Sequence, residues 1–181
     1  QESGYRITVK REPKGLASRY LHDHTDVGAI IDARKPSGDF VLPRGDGSVV
    51  LVSAGVGVTP MASMLHRLAA EAGERPVWFV QGARDGDHHP LAGEIRDLAA
   101  RRPGIRLHVA YSRPRTEDNP GENYGSEGRV DGALLAGLVE DPSAHYLLCG
   151  PSRFMADLQS DLERRGIPPE RIHSETFGPL G

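Results

Sequence analysis

Four short apolar runs, at 49–52, 77–80, 107–111 and 146–148, are each separated from the next by a stretch of helical periodicity, and this rhythm constrains the fold most. The runs are rich in β-branched and aromatic residues and show no polar alternation, as strands covered on both faces of a parallel sheet do. Between them, Met61, Met64, Leu65 and Leu68 fall at i, i+3, i+4 and i+7, and Phe154, Met155, Leu158 and Leu162 form a second stripe. One face of an amphipathic helix has that spacing. Ile95, Leu98 and Ala99 mark a helix between the second and third runs, 133–138 a short one before the fourth, and 172–177 a fifth strand. Gly166 followed by Pro168-Pro169 stops the last helix. The pattern predicts an α/β fold: a doubly wound, parallel, five-stranded sheet with right-handed crossovers. Residues 114–129 lack periodicity and are expected as an exposed excursion.

Residues 1–44 read differently. The segments 5–10, 29–33 and 40–42 suit short strands, and only 16–22 looks helical. Such a piece is too short to close a barrel, and we place the boundary at 45–48. The chain starts at Gln1 and enters a strand-like run almost at once, so we expect it to be part of something longer. With 181 residues and 38% hydrophobic content the whole supports a core. The formal charge is -3, from 22 basic and 25 acidic residues well mixed along the chain, which argues against a nucleic-acid or anionic-membrane partner. No apolar run is long enough to span a bilayer. One cysteine, Cys149, makes no internal disulfide and suits a reducing, cytoplasmic setting.

Two strand ends carry the chemistry. After the first run comes Gly55-Val56-Gly57-Val58-Thr59-Pro60, the start of a dinucleotide fingerprint with Thr-Pro where a third glycine would stand. Proline at a first helical position and threonine as N-cap explain the substitution. The glycines allow close backbone approach, and the helix N-terminus attracts phosphate. The fourth run ends in Cys149-Gly150-Pro151, again opening an amphipathic helix. Two such turns on neighbouring strands place two helix N-termini at the carboxyl edge of the sheet, where α/β folds bind nucleotides. The bland alternatives are a tight turn without ligand and, for Cys149, a small buried apolar residue.

Together with Glu175-Thr176-Phe177-Gly178-Pro179, these motifs resemble the ferredoxin-NADP reductase superfamily, and within it the reductase portion of flavohaemoglobins. Lys10-Arg11-Glu12, 15–23, 36–40 and 126–129 fall in the order of that branch, so the resemblance covers nearly the whole chain. It implies a partial antiparallel FAD-binding β-barrel at 1–44 and an NAD(P)-binding domain at 48–181. Hydride would pass from NADH or NADPH to FAD, and electrons then to a haem or iron-sulfur acceptor in the same or another chain. Residue by residue, it implies that Val9, Lys10 and Arg11 lie along the FAD adenosine. Gly15, Leu16, Ala17 and Ser18 would receive the FAD pyrophosphate, and 55–60 that of the nicotinamide nucleotide. Cys149, Gly150 and Pro151 would stand near the nicotinamide. Phe177 would cover the flavin ring, flanked by Thr176, Gly178 and Pro179, with Glu175 close to the hydride path.

Ser112 and Arg113 after the third strand would hold a 2′-phosphate, yet Glu117 and Asp118 follow and favour a free 2′-hydroxyl, which leaves both nucleotides open. The family's Arg-x-Tyr-Ser flavin strand would lie before Tyr5. FAD is therefore expected in the longer protein, while this chain by itself is expected to bind it weakly or not at all and to be inactive alone. The alternatives are the reductase component of an oxygenase or ferredoxin system, and a non-catalytic nucleotide-binding or docking module. His22-Asp23-His24 and Asp87-His88-His89 read as surface loops without metal-site spacing. No Gly-x-Ser-x-Gly elbow makes a serine nucleophile.

Overall fold

A computed structural model describes residues 4–71 and 75–176. The chain divides into two units, Gln1–Asp39 and Phe40–Gly181.

Among its described residues the first unit contains one helix, α1 (Leu16–Asp23), with Gly15 as N-cap. Around it, Arg11 makes a paired contact with Asp23 at 3.1 and 2.9 Å, and the His22 ring meets the Val9 carbonyl at 2.8 Å. The segments 5–10 and 29–33, expected as strands, carry no strand pairing. An extended run becomes a strand only when a neighbour takes its backbone hydrogen bonds, and none of the described residues offers one. Most of their apolar side chains stay in solvent, with Tyr5 at 90% and Ile30 at 97% exposure, while Val9 is half-buried.

The second unit is a sheet covered by helices on both faces. Its strands are β1 (Val49–Ala54), β2 (Val77–Ala83), β3 (Ile105–Tyr111), β4 (Ser126–Glu127), β5 (His145–Gly150) and β6 (Ile172–Thr176). They lie in the order β4-β3-β2-β1-β5-β6, and every pairing is parallel. The helices are α2 (Val58–Ala70), α3 (Ala92–Ala100), α4 (Gly132–Leu138) and α5 (Ser152–Arg164). Each inner strand is apolar on both faces because each face has a helix layer to bury against. Val49, Leu51, Phe79 and Leu147 pack with Met61, Leu65 and Leu68 of α2 and with Ile95 of α3. On the other face, Val50, Val52, Val80 and Leu148 meet Leu135 of α4 and Met155, Leu158 and Leu162 of α5. Truncating one of these leucines to alanine costs about 2–5 kcal/mol. The segment 40–42, also expected as a strand, is not one; Phe40 and Leu42 pack against the first cluster instead.

The expected parallel sheet thus forms, with a sixth, two-residue strand added at its edge. That strand lies in the excursion 114–129, which is mostly exposed, as expected. Within it Tyr124 is buried and stacks on Tyr111 with ring centroids 4.9 Å apart, and Asp118 is buried too. Going out, the chain builds β1, β2, β3 and β4 in one direction; it then returns to place β5 on the other side of β1. The direction of winding reverses between β1 and β5, and the carboxyl ends there form the crevice in which open α/β sheets take their ligands.

Candidate functional site

Gly55 leaves β1 with φ +57°, in the left-handed region that favours glycine, and nothing lies within 4 Å of where a Cβ would stand. Gly55–Gly57 make one 3-10 turn leading directly into α2. Gly57 has the opposite surroundings. A side chain there would overlap the Cys149 carbonyl and lie 2.7 Å from the Gly150 nitrogen. Gly55 therefore opens space above the turn, whereas Gly57 lets the turn seat on the end of β5. Thr59 is not the N-cap we expected. Gly57 occupies that place without a side-chain cap, and Val58 begins α2, so Thr59 and Pro60 are its second and third residues. Proline is still accommodated, because the first four helical N–H groups have no carbonyl behind them within the helix.

Cys149, Gly150 and Pro151 end β5 and lead into α5, so the two turns meet across the β1–β5 pair, where Ser53 faces Cys149 in register. A Cβ at Gly150 would come within 2.9 Å of the Phe154 ring and 3.3 Å of Ala54. Only glycine permits that approach. The Cys149 side chain does not reach the edge. It is 0% exposed among apolar side chains under α2, and burial, then the charge of Glu175, pushes its thiol up to about 12. Glu175 is its register partner on β6, half-buried, and Thr176 pairs with Gly150. Ser53, on the same row, has a buried hydroxyl without a partner. Phe177, Gly178 and Pro179 lie outside the described residues.

Along the carboxyl edge runs a cleft of about 460 Å³. Its floor is Ala54, Gly55 and Gly82. Arg84 and Ser112 follow β2 and β3, Gly128, Arg129 and Val130 follow β4, and Pro151, Arg153 and Phe154 open α5. Of the residues expected here, Gly55, Ser112 and Pro151 line the cleft. Val56 lies in the turn and Thr59 in the first turn of α2, both outside the lining, and Arg113 is exposed outside it as well. Arg84, Arg129 and Phe154 were missed. Arg84 was accessible to the rule that residues just past parallel strand ends face the ligand crevice; Arg129 follows a strand too short to show in a sequence pattern.

Hydrogen bonds fix the loops around this cleft. Asp85 accepts from the His88 backbone N–H at 3.1 Å, meets the His88 ring at 2.6 Å and accepts from Arg84 Nε at 2.9 Å. The His88 hydrogen bond first, and the Arg84 one after it, hold its carboxyl down at about 2 against a burial cost of opposite sign. His89 is no simple surface residue. Its ring lies between the Tyr111 hydroxyl at 2.8 Å and Gln81 at 3.2 Å. Burial, then Arg96, lowers it to about 4. Among the described residues no group of three or more metal-capable side chains gathers.

In the first unit, Gly15 to Ser18 open α1 as expected, with Ser18 Oγ accepting from the Glu12 N–H at 3.2 Å. Lys10 pairs with Glu12 at 2.6 Å. Arg11 is committed to Asp23, and the first-turn N–H groups of α1 are one anion-attracting element of that unit.

Residues 51–160 match the oxidoreductase NAD-binding domain family. The chain is 42% identical to a flavohemoprotein of Chromobacterium violaceum over 180 residues, 96% of this chain and 44% of that protein. It thus spans less than half the length of that relative. Among solved structures it is similar to the FAD/NAD-binding domain of a nitric oxide dioxygenase from Vibrio cholerae, with 35% identity, TM-score 0.79, and 94% and 70% of the two chains covered. It is similar as well to a flavohemoglobin from Malassezia yamatoensis with bound FAD and heme, with 29% identity, TM-score 0.80, and 94% and 43% covered.

Proposed function

The chain belongs to the oxidoreductase NAD-binding domain family, and from that premise we propose that it is the nucleotide-binding part of a flavin-dependent reductase. In this reading it takes NADH or NADPH, its residues 48–181 hold that nucleotide, and residues 1–44 contribute to an FAD site. The observation that carries it is Gly55: a left-handed glycine with open space above it, at the reversal point of the sheet and the start of α2. Backbone N–H groups at such a turn point at a diphosphate, and the dipole of the thirteen-residue α2 favours its charge. The cleft extending both ways from Gly55 has the volume of a small-molecule site.

The rest of the chain orients the reactants. Gly150 keeps the nicotinamide end of the edge flat, Cys149 supplies an uncharged floor beneath it, and Glu175 brings a half-buried carboxylate next to it. Val9 to Arg11 and Gly15 to Ser18 contribute the FAD contacts, α1 offering its first-turn N–H groups to phosphate. Phe177 with Thr176, Gly178 and Pro179 completes the flavin side. When bound, FAD would supply the hydride acceptor and the source of single electrons. The likeness to flavohemoproteins favours a haem acceptor over an iron-sulfur one. A cytoplasmic location is part of this reading and rests on cysteine usage.

Calorimetric titration with NADH and NADPH tests the reading. Saturable one-to-one binding is expected, and Gly55→Val should weaken it at least tenfold, about 1.4 kcal/mol. A folded chain that binds neither nucleotide overturns the reading.

A further inference from the structure

We propose that His89 is a positioning residue for the bound nucleotide: its ring, locked between β2 and β3, sets the loop 84–91 that forms one wall of the cleft. The proposal rests on reading that cleft as a nucleotide site. The loop leaves the carboxyl end of β2, and two of its side chains, Arg84 and His88, line the cleft. His89 follows directly but does not line it. Its ring reaches instead the buried Tyr111 of β3 and Gln81 of β2, so one side chain joins the loop to two strands.

The sense of this chain of hydrogen bonds follows from its far end. Gln81 Nε2 donates to the Pro90 carbonyl at 3.0 Å, which leaves Oε1 to accept. His89 Nε2, 3.2 Å from that oxygen, therefore carries the ring proton. Nδ1 is then bare, and the Tyr111 hydroxyl, 2.8 Å away, donates to it. The other tautomer would set a bare Nε2 against the Gln81 oxygen, two acceptors facing each other. Burial, then the charge of Arg96 on α3, keeps the ring neutral, as this arrangement requires.

The loop depends on such anchors because its end runs against ordinary backbone preference. Leu91 has φ +59°, the one positive value outside glycine among the described residues, and it is the N-cap of α3 without a side-chain cap. A residue in that region persists only where its surroundings over-determine it. The Gln81 amide supplies part of this by holding Pro90, and His89 holds the Gln81 amide in turn. Toward the cleft, the Gly86 N–H donates to the buried Asp118 at 3.3 Å, and the Arg84 carbonyl accepts from the Arg113 N–H at 2.8 Å. The wall that carries Arg84 and His88 is thus suspended between these backbone contacts and the His89 ring.

The test joins NMR of the ring nitrogens in wild type with calorimetric NAD+ titration of wild type, His89→Leu, His89→Gln, Tyr111→Phe and Leu162→Ala. The His89 ring should be the Nε2–H tautomer. His89→Leu leaves Gln81 and Tyr111 unanswered and should weaken NAD+ about tenfold or more. His89→Gln, whose amide keeps one donor and one acceptor, should stay within about threefold of wild type. Tyr111→Phe deletes only the hydroxyl and should weaken NAD+ by about threefold or more, which keeps the test open should His89→Leu not fold. Leu162→Ala, buried near the end of α5, should lower stability and leave affinity unchanged. An Nδ1–H tautomer overturns the proposal. So does wild-type affinity in a folded His89→Leu or in Tyr111→Phe, or an equal loss in His89→Leu and His89→Gln, which would assign the effect to ring packing. A matching loss in Leu162→Ala would assign it to stability and overturn the proposal too. A wild type that does not bind NAD+ or NADP+ overturns the nucleotide reading with it, whereas a binding wild type with any of these outcomes overturns the role of His89 alone.

Discussion

Gly57 of the first turn stands against the backbone of Cys149, so close that a Cβ on Gly57 would overlap the Cys149 carbonyl and lie 2.7 Å from the Gly150 nitrogen. The contact locks the start of α2 onto the end of β5, joining the two halves of the sheet where its winding reverses. Because the obstacle is backbone on both sides, neither partner has a rotamer by which to give way.

Gly57→Ala is therefore expected to destabilise the fold by roughly 1–3 kcal/mol or more, as overpacking of a filled interior does. Gly55→Ala meets no neighbour and bears only the left-handed backbone cost, about 1–2 kcal/mol. Urea denaturation midpoints distinguish them; a Gly57→Ala midpoint equal to wild type would show that the turn is not seated as described.

Cys149 should be chemically silent in the folded chain. Its thiol, pushed up to about 12 by burial and then by Glu175, is protonated at neutral pH and out of reach of a reagent. An aromatic disulfide reagent should react at pH 8 only on unfolding. The folded value lies above the unfolded one of about 8.5, so the associated stability is complete below that pH and is lost as pH rises toward 12. Cys149→Ala should flatten this alkaline decline; fast labelling of the native chain would contradict the burial.

His89 makes the acid side equally specific. Its folded value of about 4 lies below its ordinary 6.5, so the unfolded chain takes up the proton first. Stability is present above 6.5 and declines as pH falls from there toward 4. His89→Gln should remove this part of the slope, and a direct NMR titration of the ring should give a midpoint well below 6; a midpoint at 6.5 would sink the assignment.

Asp85 acts in the next window down. Held at about 2 against an ordinary 3.8, it contributes stability that is complete above about 4 and is lost as pH falls toward 2. Asp85→Asn should abolish that lower decline while leaving the His89 one. It should also lower stability at neutral pH by weakening the Arg84 and His88 hydrogen bonds. Denaturation measured at several pH values in both variants would expose the assignment as wrong if the two windows moved together.

Much of this protein was legible in the residues themselves. The strands at 49–52, 77–80, 107–111 and 146–148 extend by only a few residues to the observed β1, β2, β3 and β5, because a strand covered on both faces must be apolar at nearly every position. The stripes of α2 and α5 follow from the turn of the helix, and Gly55 and Cys149-Gly150-Pro151 announce strand ends because glycine and proline act on their own backbone. All of these signals are local. Tertiary structure alone decided which strand ends meet, since the order β4-β3-β2-β1-β5-β6 depends on contacts between distant residues. It separated Gly55, which opens space, from Gly57, which fills it, although the two are indistinguishable in sequence. Pairing across the sheet placed Cys149 beneath the edge and not upon it, and β4, at two residues, is too short to have a period. The charges show the same division: Glu117 and Asp118 are alike in sequence, as are Arg113 and Arg129, and only the folded geometry determines which are answered within the protein and which face the cleft.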